Sequence, residues 1–232
     1  MAKKHKARVL RIWREWVRPI LVIVIVCGSF RSAVADWNDV PTGSMKPTIV
    51  EGDRIFVNKL AYGLRIPFTS WRVIDFSEPQ RGDIVVFFSP DDGIRMVKRV
   101  IGLPGDRLEL RNNRIFINGG PASYSAFSRV ASAGLDESGT ADLRVGQETI
   151  DGQAHPVMVM RGRRSRQSFG PFTVPADQYF LMGDNRDNSR DSRWFGAVAR
   201  DLIVGRTSAV VFSLNAENHF LPRLDRFFHS LP

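Results

Sequence analysis

Hydrophobic and polar positions divide the chain into two regimes. Residues 19–30, Pro-Ile-Leu-Val-Ile-Val-Ile-Val-Cys-Gly-Ser-Phe, are its most apolar stretch. Beyond residue 38 no long segment repeats with the period of a helix. Apolar positions come instead in short runs bounded by Gly, Pro, Asn and Asp, the pattern of strands joined by turns. Strands are predicted at 54–59, 83–88, 95–101, 107–110, 114–117, 156–160, 172–174, 179–182, 202–204 and 207–214. The 83–88 run does not alternate, so it reads as buried on both faces. In 95–101, Met96, Lys98 and Val100 share one face and Val97, Arg99 and Ile101 the other. Asn112-Asn113 turns a hairpin, and residues 220–228 carry the pattern of a short amphipathic helix.

The apolar run is short for a bilayer crossing, which takes about 20 residues. Carried on to Trp37 it reaches that length but includes Arg31. Two readings compete. One is a retained anchor over 19–37, behind a basic cytoplasmic tail over 1–18. The other is a cleavable leader ending at Ala33-Val34-Ala35, an A-x-A site. Both leave the N-terminus in the cytoplasm and residues 38–232 outside.

Charge sharpens this picture. The net charge of +9 raises the question of a nucleic-acid partner. Its distribution argues against one. Residues 1–18 hold seven basic side chains against Glu15 alone, and the remaining 214 residues carry only +3. A basic tail directly before an apolar run is a membrane-orientation signal. The one cysteine, Cys27, allows no internal disulfide. Neither a metal site nor a cofactor motif is present in the pattern, and oligomeric state is not readable from it.

Residues 119–155 are rich in Gly, Ser and Ala and read as loop and weak strands. With 156–170 they make an inserted, smaller β-rich subdomain at 119–170, splitting a main β domain into 38–118 and 171–232. Arg161-Gly-Arg-Arg-Ser-Arg166 is a basic cluster. Most such runs are solvated loops; contact with anionic lipid or another protein is the lesser reading.

The candidate chemistry starts at Val40-Pro41-Thr42-Gly43-Ser44-Met45-Lys46-Pro47-Thr48. Two prolines bracket a Gly-Ser pair, which makes a fixed turn presenting the Ser44 hydroxyl. A serine needs a base to become a nucleophile. His5 lies in the basic tail, His155 in the insertion, and His219 and His229 near the C-terminus, none in a motif-like setting. Lys98 is flanked on its own face by Met96 and Val100. Burial there would lower its pKa from ~10.4, by as much as ~3–5 units at a fully buried site, leaving an amine able to take a serine proton. On spacing alone, a lysine snorkelling to water is the simpler reading. Lys46 and Lys59 are alternative amines at positions that read as solvated, and Arg95 places a large cation near the same strand. Residues 183–196, Gly-Asp-Asn-Arg-Asp-Asn-Ser-Arg-Asp-Ser-Arg-Trp-Phe-Gly, balance Asp184, Asp187 and Asp191 against Arg186, Arg190 and Arg193. A calcium loop fails there, because Val198 stands where a Glu ligand is needed. A buried hydrogen-bond network fits better.

These pieces resemble, in their order, the type I signal peptidases, membrane-anchored serine proteases with a Ser/Lys dyad. The match lies in 41–48 with 52–59, in Arg81-Gly-Asp-Ile-Val-Val-Phe87, in Lys98-Arg-Val-Ile-Gly-Leu-Pro-Gly-Asp106, and in 183–196. The resemblance implies a mainly β, antiparallel catalytic domain behind one N-terminal membrane helix, and favours the retained anchor. It implies Ser44 as nucleophile and Lys98 as general base. Ser189 matches a hydroxyl that orients the lysine, and Thr42 one that stabilises the oxyanion with the Ser44 backbone N–H. Arg99, Asp187, Asp191 and Arg193 match supporting charges. A shallow pocket for small side chains would be lined by Val40, Pro41, Met45, Ile49, Ile55, Val86, Met96 and Val97. The implied partners are preproteins carrying signal peptides, cut after Ala-x-Ala, and the lipid bilayer, with the catalytic domain on the periplasmic side. A peptidase dedicated to a single client, or a non-catalytic anchored β domain, are the alternatives. Ala33-Val34-Ala35 would also be a site for self-cleavage.

Overall fold

The computed structural model describes residues 12–69, 71–130, 142–215 and 218–232; most of the basic tail lies outside them. The long strand Ile203–Asn215 organises the β domain. It is third in an antiparallel sheet whose order runs Ala35–Asp39, Asp53–Asn58, Ile203–Asn215, Ile84–Phe88, Arg95–Gly102, Gln178–Met182, Val198–Ala199. Its first half pairs with Ile84–Phe88, and further on the same edge takes His229–Ser230. Register shifts at Ile203/Gly205, Thr207/Ala209 and Val210/Phe212 mark bulges, which bend and twist a strand. They let one strand run where the pattern predicts two, at 202–204 and 207–214. Gly205 is required in this passage: an added Cβ would lie 2.5 Å from Asn58 O.

Two apolar clusters form on either side of the 84–88 strand. Ile84 and Val86 join Val40, Met45, Ile49, Ile55, Val57 and Val210. Val85 and Phe87 join Val100, Tyr179, Leu181 and Ile203. The unbroken apolar run therefore does serve both faces.

A π-helical turn at Trp13–Val17 leads into the helix Arg18–Ala33. Together Trp13–Ala33 is 21 residues, within which an 18-residue stretch has a mean hydropathy of 1.5, long and apolar enough to cross a membrane. The helix stops at Ala33, short of Trp37, because the polar alternation of Asp36, Asn38 and Asp39 pairs with the next strand instead, in the register Ala35↔Asn58 to Asp39↔Arg54. Lys59, expected in solvent, closes the helix end. Its Nζ donates to Arg31 O at 2.8 Å and Ser32 O at 3.2 Å, carbonyls that no intrahelical partner satisfies. Ala33-Val34-Ala35 is held in this junction: Lys59 N–H donates to Val34 O and Ala35 pairs with Asn58. Cleavage there requires the edge strand to leave the sheet. Beside the helix, the hairpin Gly63–Arg65 and Arg72–Asp75 exposes Phe68, Trp71, Val73 and Phe76. Phe68 N–H donates to Ser32 Oγ at 2.7 Å.

The region read as weak strands contains a long hairpin, Asp142–Ile150 with Gln153–Arg161. Its alternation is obscured because Glu148 and His155 occupy buried positions. One signal was nonetheless present, the Asp151-Gly152 turn, where both residues take positive φ. The 220–228 segment is not an amphipathic helix. Leu221–Pro222 pairs with the long strand, only Leu224–Arg226 turns in a 3₁₀ conformation, and Phe220 and Phe228 have positive φ.

Ile49 is fully buried beneath the 43–45 turn. Ile49→Ala is expected to cost about 2–5 kcal/mol of unfolding free energy, measured by denaturant titration of the detergent-solubilised protein. A cost under about 0.5 kcal/mol would contradict its place in the core.

Candidate active site

Ser44 lies in the single 3₁₀ turn Gly43–Met45. Met45 and Ile49, both 0% exposed, anchor that turn from the core. A Cβ at Gly43 would press on the Lys46–Glu51 pair, meeting Glu51 Oε1 at 2.4 Å and Lys46 Cε at 2.9 Å. Lys46, expected in solvent, is buried and pairs with Glu51 at 2.6 Å. A second loop clamps the turn: Asn185 donates from its backbone N–H to Ser44 O at 3.1 Å and from Nδ2 to Gly43 O at 3.0 Å.

Lys98 reaches this turn from the Arg95–Gly102 strand. Its Nζ lies 2.6 Å from Ser44 Oγ and donates to Val97 O at 2.9 Å. The residue is only 3% exposed. Burial pushes its pKa down from the ordinary lysine range to about 8, although nearby Asp191 and Asp184 work the other way. Both carboxylates are themselves engaged. Arg99 grips Asp184 with two hydrogen bonds, at 2.9 and 2.8 Å, and Thr48 Oγ1 donates to the same carboxylate. Arg193 grips Asp191 with two bonds of 2.8 Å, and Gly183 N–H adds a third at 3.0 Å. Burial alone would raise both carboxylates, but Arg99 and Arg193 outweigh it and hold them below the usual range.

The structure sorts the remaining predicted residues. Ser189 Oγ and Ser44 O both crowd the α-carbon of Gly183, where an added Cβ would lie 2.3 and 2.4 Å from them. Lys98 bonds to Ser44 and Val97 rather than to the Ser189 hydroxyl. Asp187 turns away from the dyad. It accepts from Met160 N–H at 2.8 Å, Asn113 Nδ2 at 2.8 Å, Gln167 Nε2 at 3.2 Å and Ser165 Oγ. The partner of Arg99 is Asp184, which the resemblance did not single out. Three aspartates in one loop offered no local signal to choose between them.

Beside Ser44 opens a cavity of about 470 Å³. Val40, Pro41, Ile55, Val86, Met96 and Val97 line it, with Thr42 and Lys98. Met45 and Ile49 do not; they lie in the core cluster that Val40, Ile55 and Val86 share. Asn38, Ile94, Asn188 and Arg190 are lining residues that the sequence reading missed. Arg95 edges the cavity, where its Nη1 donates to Asn38 Oδ1 at 2.9 Å. His155, the one histidine buried near the network, sits 3.1 Å from Glu148.

A buried amine of lowered basicity against a serine hydroxyl, at the end of an apolar cavity, is equipped for acyl transfer. The model of the family described as signal peptidase, peptidase S26, matches residues 13–212. The chain belongs to this family. A signal peptidase I of Pseudomonas fluorescens is 40% identical over 84% of this chain and 70% of its own length. One of Pseudomonas aeruginosa is 38% identical over 92% and 76%. Signal peptidase I P of Bacillus subtilis subsp. natto is 33% identical over 94% and 96%. Among these peptidases the present chain can be tested at its lysine. NMR titration of the Lys98 side chain in micelles is expected to give a midpoint near pH 8. A midpoint near ~10.4 would mean a solvated ammonium and a different site geometry.

Proposed function

We propose that the chain is a membrane-anchored serine endopeptidase that removes signal peptides, with Ser44 as nucleophile and Lys98 as its general base. The 2.6 Å approach of Lys98 Nζ to Ser44 Oγ in a buried setting carries this reading. Unprotonated Lys98 takes the Ser44 proton as Oγ bonds to the scissile carbonyl carbon. The Ser44 backbone N–H and the Thr42 hydroxyl receive the resulting oxyanion, a single such donor being worth roughly 3–4 kcal/mol. The C–N bond then breaks, and Lys98 returns its proton to the leaving amine. Water, deprotonated in turn by Lys98, hydrolyses the acyl-enzyme. The apolar cavity suits small side chains such as Ala before the cut, since branched residues and Met wall it.

In this reading residues 38–118 and 171–232 perform the chemistry, while 119–170 braces it. The helix Trp13–Ala33 and the exposed aromatic hairpin beside it support anchoring in the bilayer. The basic tail supports a cytoplasmic N-terminus and a catalytic domain on the opposite side.

The test is cleavage of a preprotein bearing Ala-x-Ala, in detergent. Ser44→Ala and Lys98→Ala should each lower kcat/KM by about 10³-fold or more without loss of fold by circular dichroism. Retained cleavage in Lys98→Ala would refute the base assignment. The pH profile follows from the lysine. Because only the neutral amine is active, kcat/KM should rise with pH and level off above about 8. At pH 7 a pKa of about 8 leaves roughly a tenth of the molecules active. A rise centred near 6.5 would point to histidine instead.

A further inference from the structure

The basic cluster at 161–166 is not a free loop. Ser165 Oγ donates to Asp187, Asn113 N–H donates to Gln167 O at 2.8 Å, and Arg193 Nη1 donates to Arg166 O at 3.2 Å. These contacts pin the segment against the 183–196 loop that carries the catalytic network. There it forms one wall of a second cavity, of about 460 Å³, whose lining includes Arg163, Arg164, Arg166, Arg190 and Trp194. This cavity shares Asn188 and Arg190 with the cavity at Ser44.

Its charge is poorly balanced. Asp187 is taken up by the four donors described above. Asp91 pairs with Arg190 at 2.9 Å, and Arg186, also in the lining, pairs with Glu148. Arg166 lies over the rings of Phe169 and Trp194, at 5.0 and 5.7 Å. Among the described residues the Arg163 guanidinium meets only the Met160 thioether, at 3.8 Å. Arg164 has no side-chain partner among the described residues. Two adjacent guanidinium groups without a carboxylate thus face a cavity that opens off the catalytic cleft.

We propose that this arginine cavity binds an acidic side chain of the substrate, Asp or Glu, in the segment just after the scissile bond. The proposal rests on the peptidase reading above. Residues before the scissile carbonyl occupy the apolar cavity. The chain beyond it leaves across Asn188 and Arg190, the residues common to both cavities. A carboxylate carried there meets the planar fork geometry that arginine offers to carboxylates. The groups are exposed, so the gain is modest and salt-sensitive.

The experiment compares Ala-x-Ala peptides that carry Asp, Asn or Lys in turn at each of the first five positions after the cut. They are cleaved in neutral detergent by the wild type and by the double variant Arg163→Gln/Arg164→Gln. At one or two of those positions the wild type should prefer Asp over Asn by about two- to fivefold in kcat/KM at low salt, and Lys should be worst. The preference should vanish in the double variant and in about 0.5 M salt, with Asn-peptide cleavage unchanged. Cleavage of Asn peptides without any preference for Asp would overturn this inference and leave the peptidase reading standing. A preference that survives in the double variant would also overturn it. So would a double variant that differs from wild type only in binding vesicles containing anionic lipid, which would give the arginines to the membrane surface. Failure of the wild type to cleave any of the peptides would overturn both readings.

Discussion

Lowering the basicity of a lysine beside a serine is the constraint on which this structure depends. Water would hold Lys98 protonated, so the strand that carries it must be sealed by packing. Desolvation alone is not enough, because Asp184 and Asp191 stand near enough to favour the ammonium. Each is matched by its own arginine, Arg99 and Arg193, through two hydrogen bonds apiece. With both carboxylates so paired, burial remains the dominant influence on Lys98. Arg193 itself also opposes the ammonium. Replacing such buried pairs by apolar side chains is often harmless to stability. Here their value lies in fixing loops around a reactive amine.

The insertion completes that enclosure. Met158 N–H donates to Asp184 O and Arg186 N–H to Met158 O, both at 2.9 Å, so the long hairpin adds a parallel bridge to the 183–196 loop. Glu148, 0% exposed, clamps Arg186, and the Arg186 guanidinium holds Glu148 ionised against its burial. Asp187 does the corresponding work on the other side, gathering Asn113, Ser165 and Gln167. A region with no readable motif therefore braces the loop that in turn braces Ser44. The same bracing brings the arginines of 163–166 to the edge of the cleft.

The apolar helix is joined to the sheet by a short folded passage. Lys59 caps the helix, Asp36 receives Arg31 at 2.8 Å, and the next five residues form the first strand. This short, folded passage fixes the end of the apolar helix to the edge of the same sheet whose fifth strand carries Lys98. A helix running on to Trp37 would have consumed the residues that make the junction rigid.

Much was legible in the chain itself, for local reasons. The two-faced strand 84–88, the alternating strand of Lys98, the hairpin about Asn112-Asn113 and the apolar helix all follow from residue periodicity, which needs no distant partner. The turn at Ser44 follows from its prolines and glycine. Ser44 and Lys98 were nameable as a pair, through the family resemblance, because both sit in strong local patterns. Tertiary structure decided the rest. Asp184 meets Arg99, Met45 and Ile49 support the cavity instead of lining it, and partners bury Lys46 and half-bury Lys59. Each of these depends on which way a side chain points after strands far apart in sequence have paired. The hairpin at 142–161 hid for a related reason. Its inward-facing Glu148 and His155 look like solvent residues until Arg186, some 40 positions from Glu148, pairs with that carboxylate, against which His155 also lies. A charge is read locally as exposed, and only the folded chain can supply the opposite charge that allows its burial.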